Sequence, residues 1–345
     1  MARLRKRGEQ IRNYILENTK DNPSKIAVIA AEKFGVSRQA ISKHIKKLVD
    51  QGALAVSGNT RQRRYSLLAV SEQNYSFPLD YEDLEEDTVW RSNVEPWLGE
   101  LPDNIIDIWQ YGITEMINNV IDHSSGTQLE IQLTKTAQDT KVMLYDNGEG
   151  IFRKIQRELG LEDERHAVLE LSKGKLTTDP ANHTGAGIFF TSRAFDNFAI
   201  LSGGVYFSHK YEDIDDWILE RDRPQSGTYV FMEISNNTAR TIKSVFDQFT
   251  TEDSYGFNKT VVPVALAKYG NENLVSRSQA KRLLARFDRF KVVLLDFKNV
   301  KSIGQAFADE IFRVFQNRNL DIELVPVNTT SAVDQMISRA MESKI

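Results

Sequence analysis

The chain has 345 residues, 41% hydrophobic and 27% charged, with a net charge of −4, a globular composition with room for two or three domains. It contains no cysteine, which excludes disulfides and thiolate metal sites and fits a reducing, cytoplasmic setting. No apolar run reaches the roughly eighteen residues that a membrane-spanning helix needs, and no apolar segment follows the basic N-terminus, so neither membrane nor secretory signal is expected.

The charge is unevenly placed. Residues 1–70 hold fifteen Lys and Arg against five Asp and Glu, a balance of +10 that leaves −14 for the remainder. A basic module that meets a polyanion, joined to acidic domains that do not, accounts for the split.

In chain order, residues 9–18 read as a helix with Ile11, Tyr14 and Ile15 at apolar spacing, and Asp21-Asn-Pro-Ser24 ends it. A short helix follows over residues 25–34. Gly35-Val-Ser37 then turns into a third helix, 38–51, which carries Ile41, Ile45, Leu48 and Val49 inward and Arg38, Gln39, Ser42, Lys43 and Lys46 outward. Residues 52–56 and 61–67 supply two strands with a basic hairpin between them. Residues 1–72 therefore resemble a winged helix-turn-helix domain of bacterial regulators. The resemblance implies duplex DNA as partner, with Arg38 to Lys46 in the major groove and Arg61, Arg63 and Arg64 on phosphates or in the minor groove. A pseudo-palindromic target would need a homodimer.

Ser71 to Glu86 is polar and acidic and reads as a linker. Trp90, Val94, Trp97 and Leu98 lie at helical spacing and are expected in a core. The stretch from Ile113 to His123 then places Glu115, Asn119 and His123 four residues apart, on or near one helix face. Ile113, Met116, Ile117, Val120 and Ile121 fill the spacing between, so the helix packs one side and presents a carboxylate and an amide on the other. A carboxylate can orient an attacking group, and a neutral amide oxygen one turn away can ligate Mg2+ without repelling phosphates.

Residues 128–134 and 141–145 read as a strand pair leading to Asp146-Asn-Gly-Glu-Gly-Ile151. Asp146 at a strand end can accept hydrogen bonds from an amino group, and Gly148 and Gly150 let the backbone turn tightly. Residues 171–180 look like a lid in which Lys173 and Lys175 would close on a γ-phosphate. Thr184-Gly-Ala-Gly-Ile188 opens an apolar helix whose N-terminal amides can cradle phosphate, and Gly227-Thr228 leads into a strand that would bring the Thr228 hydroxyl beside Asp146.

In this order the motifs resemble the GHKL ATPase superfamily of gyrase, the large heat-shock chaperone, histidine kinases and mismatch-repair ATPases. The resemblance covers roughly residues 85–240. It implies an α/β sandwich that takes ATP and Mg2+, with Glu115 as catalytic base, Asn119 as metal ligand, Asp146 as adenine reader, and Gly148, Gly150, Gly185 and Gly187 in the nucleotide loops. The spacing of Glu115, Asn119 and His123 is closest to that of the anti-sigma-factor kinases. If the tail instead served as a gyrase-like transducer, Lys243, Lys259 or Lys268 would reach the γ-phosphate.

From residue 260 strands and helices alternate, which argues for a small α/β domain over residues 255–345. Residues 292–311 are similar to STAS and STAS-like domains, the fold of anti-sigma-factor antagonists, and this implies a protein partner. Where those antagonists carry a phosphorylated serine, this chain has Gln305, with Ser302 in the preceding loop. The expected whole is an α+β multidomain regulator that couples ATP binding or hydrolysis to DNA binding. A protein serine kinase of the anti-sigma type and a non-hydrolysing nucleotide sensor are the alternatives.

Overall fold

The computed structural model describes residues 2–59, 62–79, 84–176, 185–211, 217–251, 256–268 and 272–342. They form an α+β protein with three sheets of two, five and three strands. The chain divides into two compact units, one of residues 1–75, 131–143 and 233–238, the other of 76–130, 144–232 and 239–345.

Helices α1 (Ala2–Thr19), α2 (Ile26–Phe34) and α3 (Arg38–Asp50) are followed by the antiparallel pair β1 (Leu54–Ser57) and β2 (Arg64–Leu67). Ser37 caps α3 by accepting from the Ala40 amide at 3.2 Å, which satisfies one of the N–H groups that a helix start leaves unpaired. Gly35 ends α2 in the left-handed region, φ 60°, where a β-carbon would be strained. Ile11, Ile15, Ile26, Ala30, Ile41, Ile45, Leu48 and Leu54 close a small core, so each helix buries the stripe that its periodicity assigns.

The expected linker is a correction. Ala69–Pro78 forms strand β3, the edge of the five-stranded sheet. Its side chains are mostly exposed, so it carries no alternating apolar signal although its backbone pairs.

Glu86–Val89 (α4), a π-helical turn at Trp90–Val94 and Glu95–Leu98 (α5) lead to the long α6 (Asp103–His123). Trp90, Val94 and Leu98 are buried as their spacing requires. On α6, Ile105, Ile108, Trp109, Ile113, Met116, Ile117 and Val120 are buried, whereas Ile121 is exposed because it lies around the helix from that stripe. Strands β4 (Gln128–Thr136) and β5 (Asp139–Asp146), helices α7 (Ile151–Leu159), α8 (Glu164–Lys173) and α9 (Gly187–Ala194), and strands β6 (Asn197–Lys210) and β7 (Trp217–Ser235) follow. The sheet order is β3-β4-β5-β7-β6, and α6 packs against α4 and α9.

After α10 (Ile242–Asp247), β8 (Lys259–Pro263), α11 (Arg277–Leu284), β9 (Val292–Asp296), α12 (Gln305–Asp309), α13 (Gln316–Arg318), β10 (Glu323–Val327) and α14 (Ser331–Glu342) complete the chain. The three strands are parallel in the order β10-β9-β8, with Val292 opposite both Lys259 and Glu323. Parallel neighbours need crossovers, and the helices between them supply these. The helical stretch that Gln305 opens is interrupted by a π-helical turn at Glu310–Phe315. Phe287, Val293, Leu295, Phe297, Phe307, Ile311 and Val333 are fully or almost fully buried in this core.

Candidate functional site

A cavity of about 270 Å³ opens among α6, α7, α9, β5 and β7. Glu115, Asn118, Asn119 and His123 line it from α6, with Asp146, Ile151, Lys154, Leu176, Gly185, Gly187, Thr228 and Val230. Burial of the apolar stripe turns Glu115, Asn119 and His123 toward this space. The Asn119 amide nitrogen donates to the Glu115 carbonyl at 2.8 Å, leaving the side-chain oxygen as the group to offer a cation.

Asp146 ends β5 and is 4% exposed. Burial raises its carboxyl above the ordinary 3.8, and hydrogen bonds from the Gly148 amide and from Thr228 oppose the rise. The Gly148 amide lies 2.9 Å from Asp146 Oδ1. The Thr228 hydroxyl accepts from the Ile151 amide at 3.1 Å and lies 3.4 Å from the Ser202 hydroxyl, which itself donates to the Gly227 carbonyl at 3.1 Å. Asp146 and Thr228 are thus neighbours fixed from both strands, a pair that can accept and donate toward a flat polar ring.

Two glycines make the walls. A β-carbon on Gly148 would overlap the Ser124 carbonyl, and one on Gly187 would overlap the Glu115 carboxylate. Glycine lets the start of α9 approach Glu115 without displacing its carboxylate. Gly150 precedes α7, and Gly185 accepts from the Leu176 amide at 3.0 Å. Thr184 and Arg61 lie outside the described residues.

Lys173 and Lys175 are not brought to the cavity. Lys173 is 1% exposed and pairs with the equally buried Glu170 at 2.5 Å. Burial pulls its ammonium down to about 8, against the raising effect of Glu170. Burial alone would raise the Glu170 carboxyl, but His166, Lys173 and Arg286 together hold it below its ordinary value. Besides Glu170, three residues before Lys173, the partners of both lysines are backbone carbonyls more than a hundred positions away, which local spacing does not reveal. The other lysines weighed for a phosphate also lie elsewhere: Lys243 pairs with Asp247 at 3.0 Å, Lys259 is in β8, and Lys268 points at the Asn299 carbonyl at 3.5 Å.

Sequence reasoning missed Lys154. It is the one lysine or arginine on the cavity wall among the described residues, and its ammonium donates to the His123 carbonyl at 2.9 Å. Its signal was available: Ile151, Lys154 and Ile155 stand at i, i+3 and i+4 on the helix after the glycine turn, and so share a face.

In the N-terminal unit, Arg38, Gln39, Ser42, Lys43 and Lys46 are all exposed on α3, and Arg63 and Arg64 are exposed at the start of β2. The pKa of the His44 imidazole on the same helix is lowered, first by burial and then by the Arg12 and Lys47 charges.

Among the described residues no cluster of three or more His, Asp or Glu could hold a metal, and no helix is long and apolar enough to cross a membrane. Residues 279–334 match the family model described as a STAS-like domain of unknown function (DUF4325). No curated protein matches the chain.

Proposed function

We propose that this protein is an ATP-binding regulator of the GHKL type, with a winged helix-turn-helix DNA reader over residues 1–72, a nucleotide domain over 85–240 and the STAS-like domain at its C-terminal end, over 255–345. The observation that carries the reading is the convergence on one cavity of Glu115, Asn119, the buried Asp146–Thr228 pair and the loop of Gly185 and Gly187. Asp146 would accept from the adenine amino group. Asn119 would hold Mg2+, which fits its hard, neutral oxygen, since Mg2+ takes few protein ligands and keeps phosphate and water oxygens for the rest. When bound, the ion neutralises phosphate charge. Lys154 supplies the protein's own cation toward the phosphates, in place of Lys173 and Lys175, and Glu115 would orient the attacking water.

Exposed Arg38, Lys43 and Lys46 on α3, with Gln39 and Ser42 among them, and exposed Arg63 and Arg64 by β2 support the DNA reading. The serine-kinase reading is weaker in this chain, because Gln305 opens α12 where the antagonists carry an acceptor serine, and an amide is no phosphoryl acceptor. Phosphate release from ATP by wild type and Glu115→Ala tests the assignment. Glu115→Ala is expected to bind ATP as wild type does and to release phosphate at least about a hundredfold more slowly, the usual reach of a general base. Equal release by the two would remove Glu115 from the chemistry.

A further inference from the structure

The two lysines that do not enter the cavity connect it to the STAS-like domain instead. Lys173 closes α8, and its ammonium donates to the carbonyls of Arg282 and Ala285 at 3.1 and 3.0 Å, at the end of α11, where the helix dipole favours a cation. The Lys173 carbonyl accepts from the Thr260 hydroxyl on β8 at 2.7 Å. Two residues on, Lys175 donates to the Arg289 carbonyl at 2.6 Å and lies over the Phe290 ring at 4.8 Å. The Lys175 carbonyl in return accepts from the guanidinium groups of Arg286 and Arg289.

Lys175 and Arg286 both hold left-handed backbone, φ 52° and 63°, a conformation that non-glycine residues keep only where the surroundings impose it. The next residue is Leu176, which lines the cavity and donates to Gly185. The far side of the glycine loop is held as well. The ring of Phe189, two residues after Gly187, packs tilted against Phe257 at 4.6 Å, and Phe257 packs on Phe290 at 5.4 Å. Leu176, which is bonded to Gly185, and Phe189, which follows Gly187, are therefore both tied to residues 257–290.

We propose that the STAS-like domain regulates the nucleotide cavity from within the chain, holding Gly185 and Gly187 in their phosphate-binding position through the Lys173–Lys175 segment and the Phe257–Phe189 contact. The inference rests on the nucleotide reading above and adds to it where control is applied: whatever shifts residues 282–290 releases the loop and weakens the hold on phosphates more than the hold on the base. By linkage, occupancy of the cavity must in turn stabilise residues 282–290, which do not line it.

Amide hydrogen exchange of the full-length protein, with and without Mg2+ and the non-hydrolysable analogue AMP-PNP, tests this without a mutation. Slower exchange is expected at residues 115–123 and also at 282–290. Protection at 115–123 with none at 282–290 overturns the regulation and leaves the nucleotide site standing; protection at neither removes the nucleotide reading and this inference with it.

A double variant, Lys175→Ala with Arg289→Ala, loosens the contact at its more exposed end and spares the buried Glu170–Lys173 pair. It is expected to bind AMP-PNP at least about fivefold more weakly, within the usual range of coupling between sites, while adenosine affinity stays as in wild type. A parallel loss of both ligands would indicate general loosening and count against the proposal, as would no loss of either.

Discussion

Asp146 carries a conflict between stability and recognition. Its carboxylate is buried and its folded pKa is raised, chiefly by desolvation, so the ionised form at neutral pH destabilises the fold. A carboxyl whose folded pKa lies above its unfolded value binds more protons folded than unfolded between the two, and stability falls as pH rises through that window. Asp146→Asn keeps an oxygen for the Gly148 amide and removes the charge. It is expected to raise Tm at pH 7, with the gain shrinking as pH falls below the raised pKa. If Asp146 reads adenine as proposed, the same change replaces an acceptor for the adenine amino group with a donor, so ATP affinity should drop while GTP affinity does not. A variant that loses both nucleotides equally would end the role of Asp146 as base reader. Lys154→Met tests the newly found cation: ATP should weaken by about tenfold or more, since charge-assisted bonds are worth about 1.5–3 kcal/mol, and adenosine should not change.

At the scale of elements, what could be read in advance follows from where each signal resides. Helix α6 was legible because its apolar stripe and its polar groups repeat within one helix, and β5 with its glycine turn because strand end and turn are contiguous. Strand β3 was not, because an edge strand with exposed side chains lacks the alternation that marks a half-buried one. The destination of Lys173 and Lys175 was hidden for a different reason. Two lysines flanking a glycine read as a lid free to reach a phosphate, and only the tertiary fold supplies the carbonyls of Arg282, Ala285 and Arg289 that take their ammonium groups.

In the proposed DNA reader, the Ser37 side chain caps α3, and Ser37→Ala should cost about 1 kcal/mol of stability, measurable as a lower denaturation midpoint. Removing Arg63 and Arg64 should weaken duplex binding on all sequences and reduce the salt slope by about 1 per lost phosphate contact, whereas Gln39→Ala should change sequence preference and leave the slope alone. Uniform effects from all three would reduce α3 to a phosphate contact.

The whole molecule joins a basic N-terminal module to an acidic remainder, and its regulatory value depends on whether the nucleotide cavity answers to the other domains. If ATP alters DNA affinity by some factor, DNA must alter ATP affinity by the same factor, and couplings are commonly about 1–3 kcal/mol. Titrating ATP into the Glu115→Ala protein with and without duplex measures this with hydrolysis removed; coincident curves would leave independent modules.

All of this depends on one claim, that the cavity takes ATP through an ion held at Asn119. Equilibrium titration with AMP-PNP in Mg2+ and in EDTA, on wild type and on Asn119→Ala, addresses it directly. Wild type is expected to show single-site binding that weakens by about tenfold or more when Mg2+ is removed, a difference of roughly 1.4 kcal/mol, and Asn119→Ala to bind weakly and equally in both buffers. Absence of saturable binding by wild type, or an Asn119→Ala protein that keeps the full Mg2+ dependence, would contradict it.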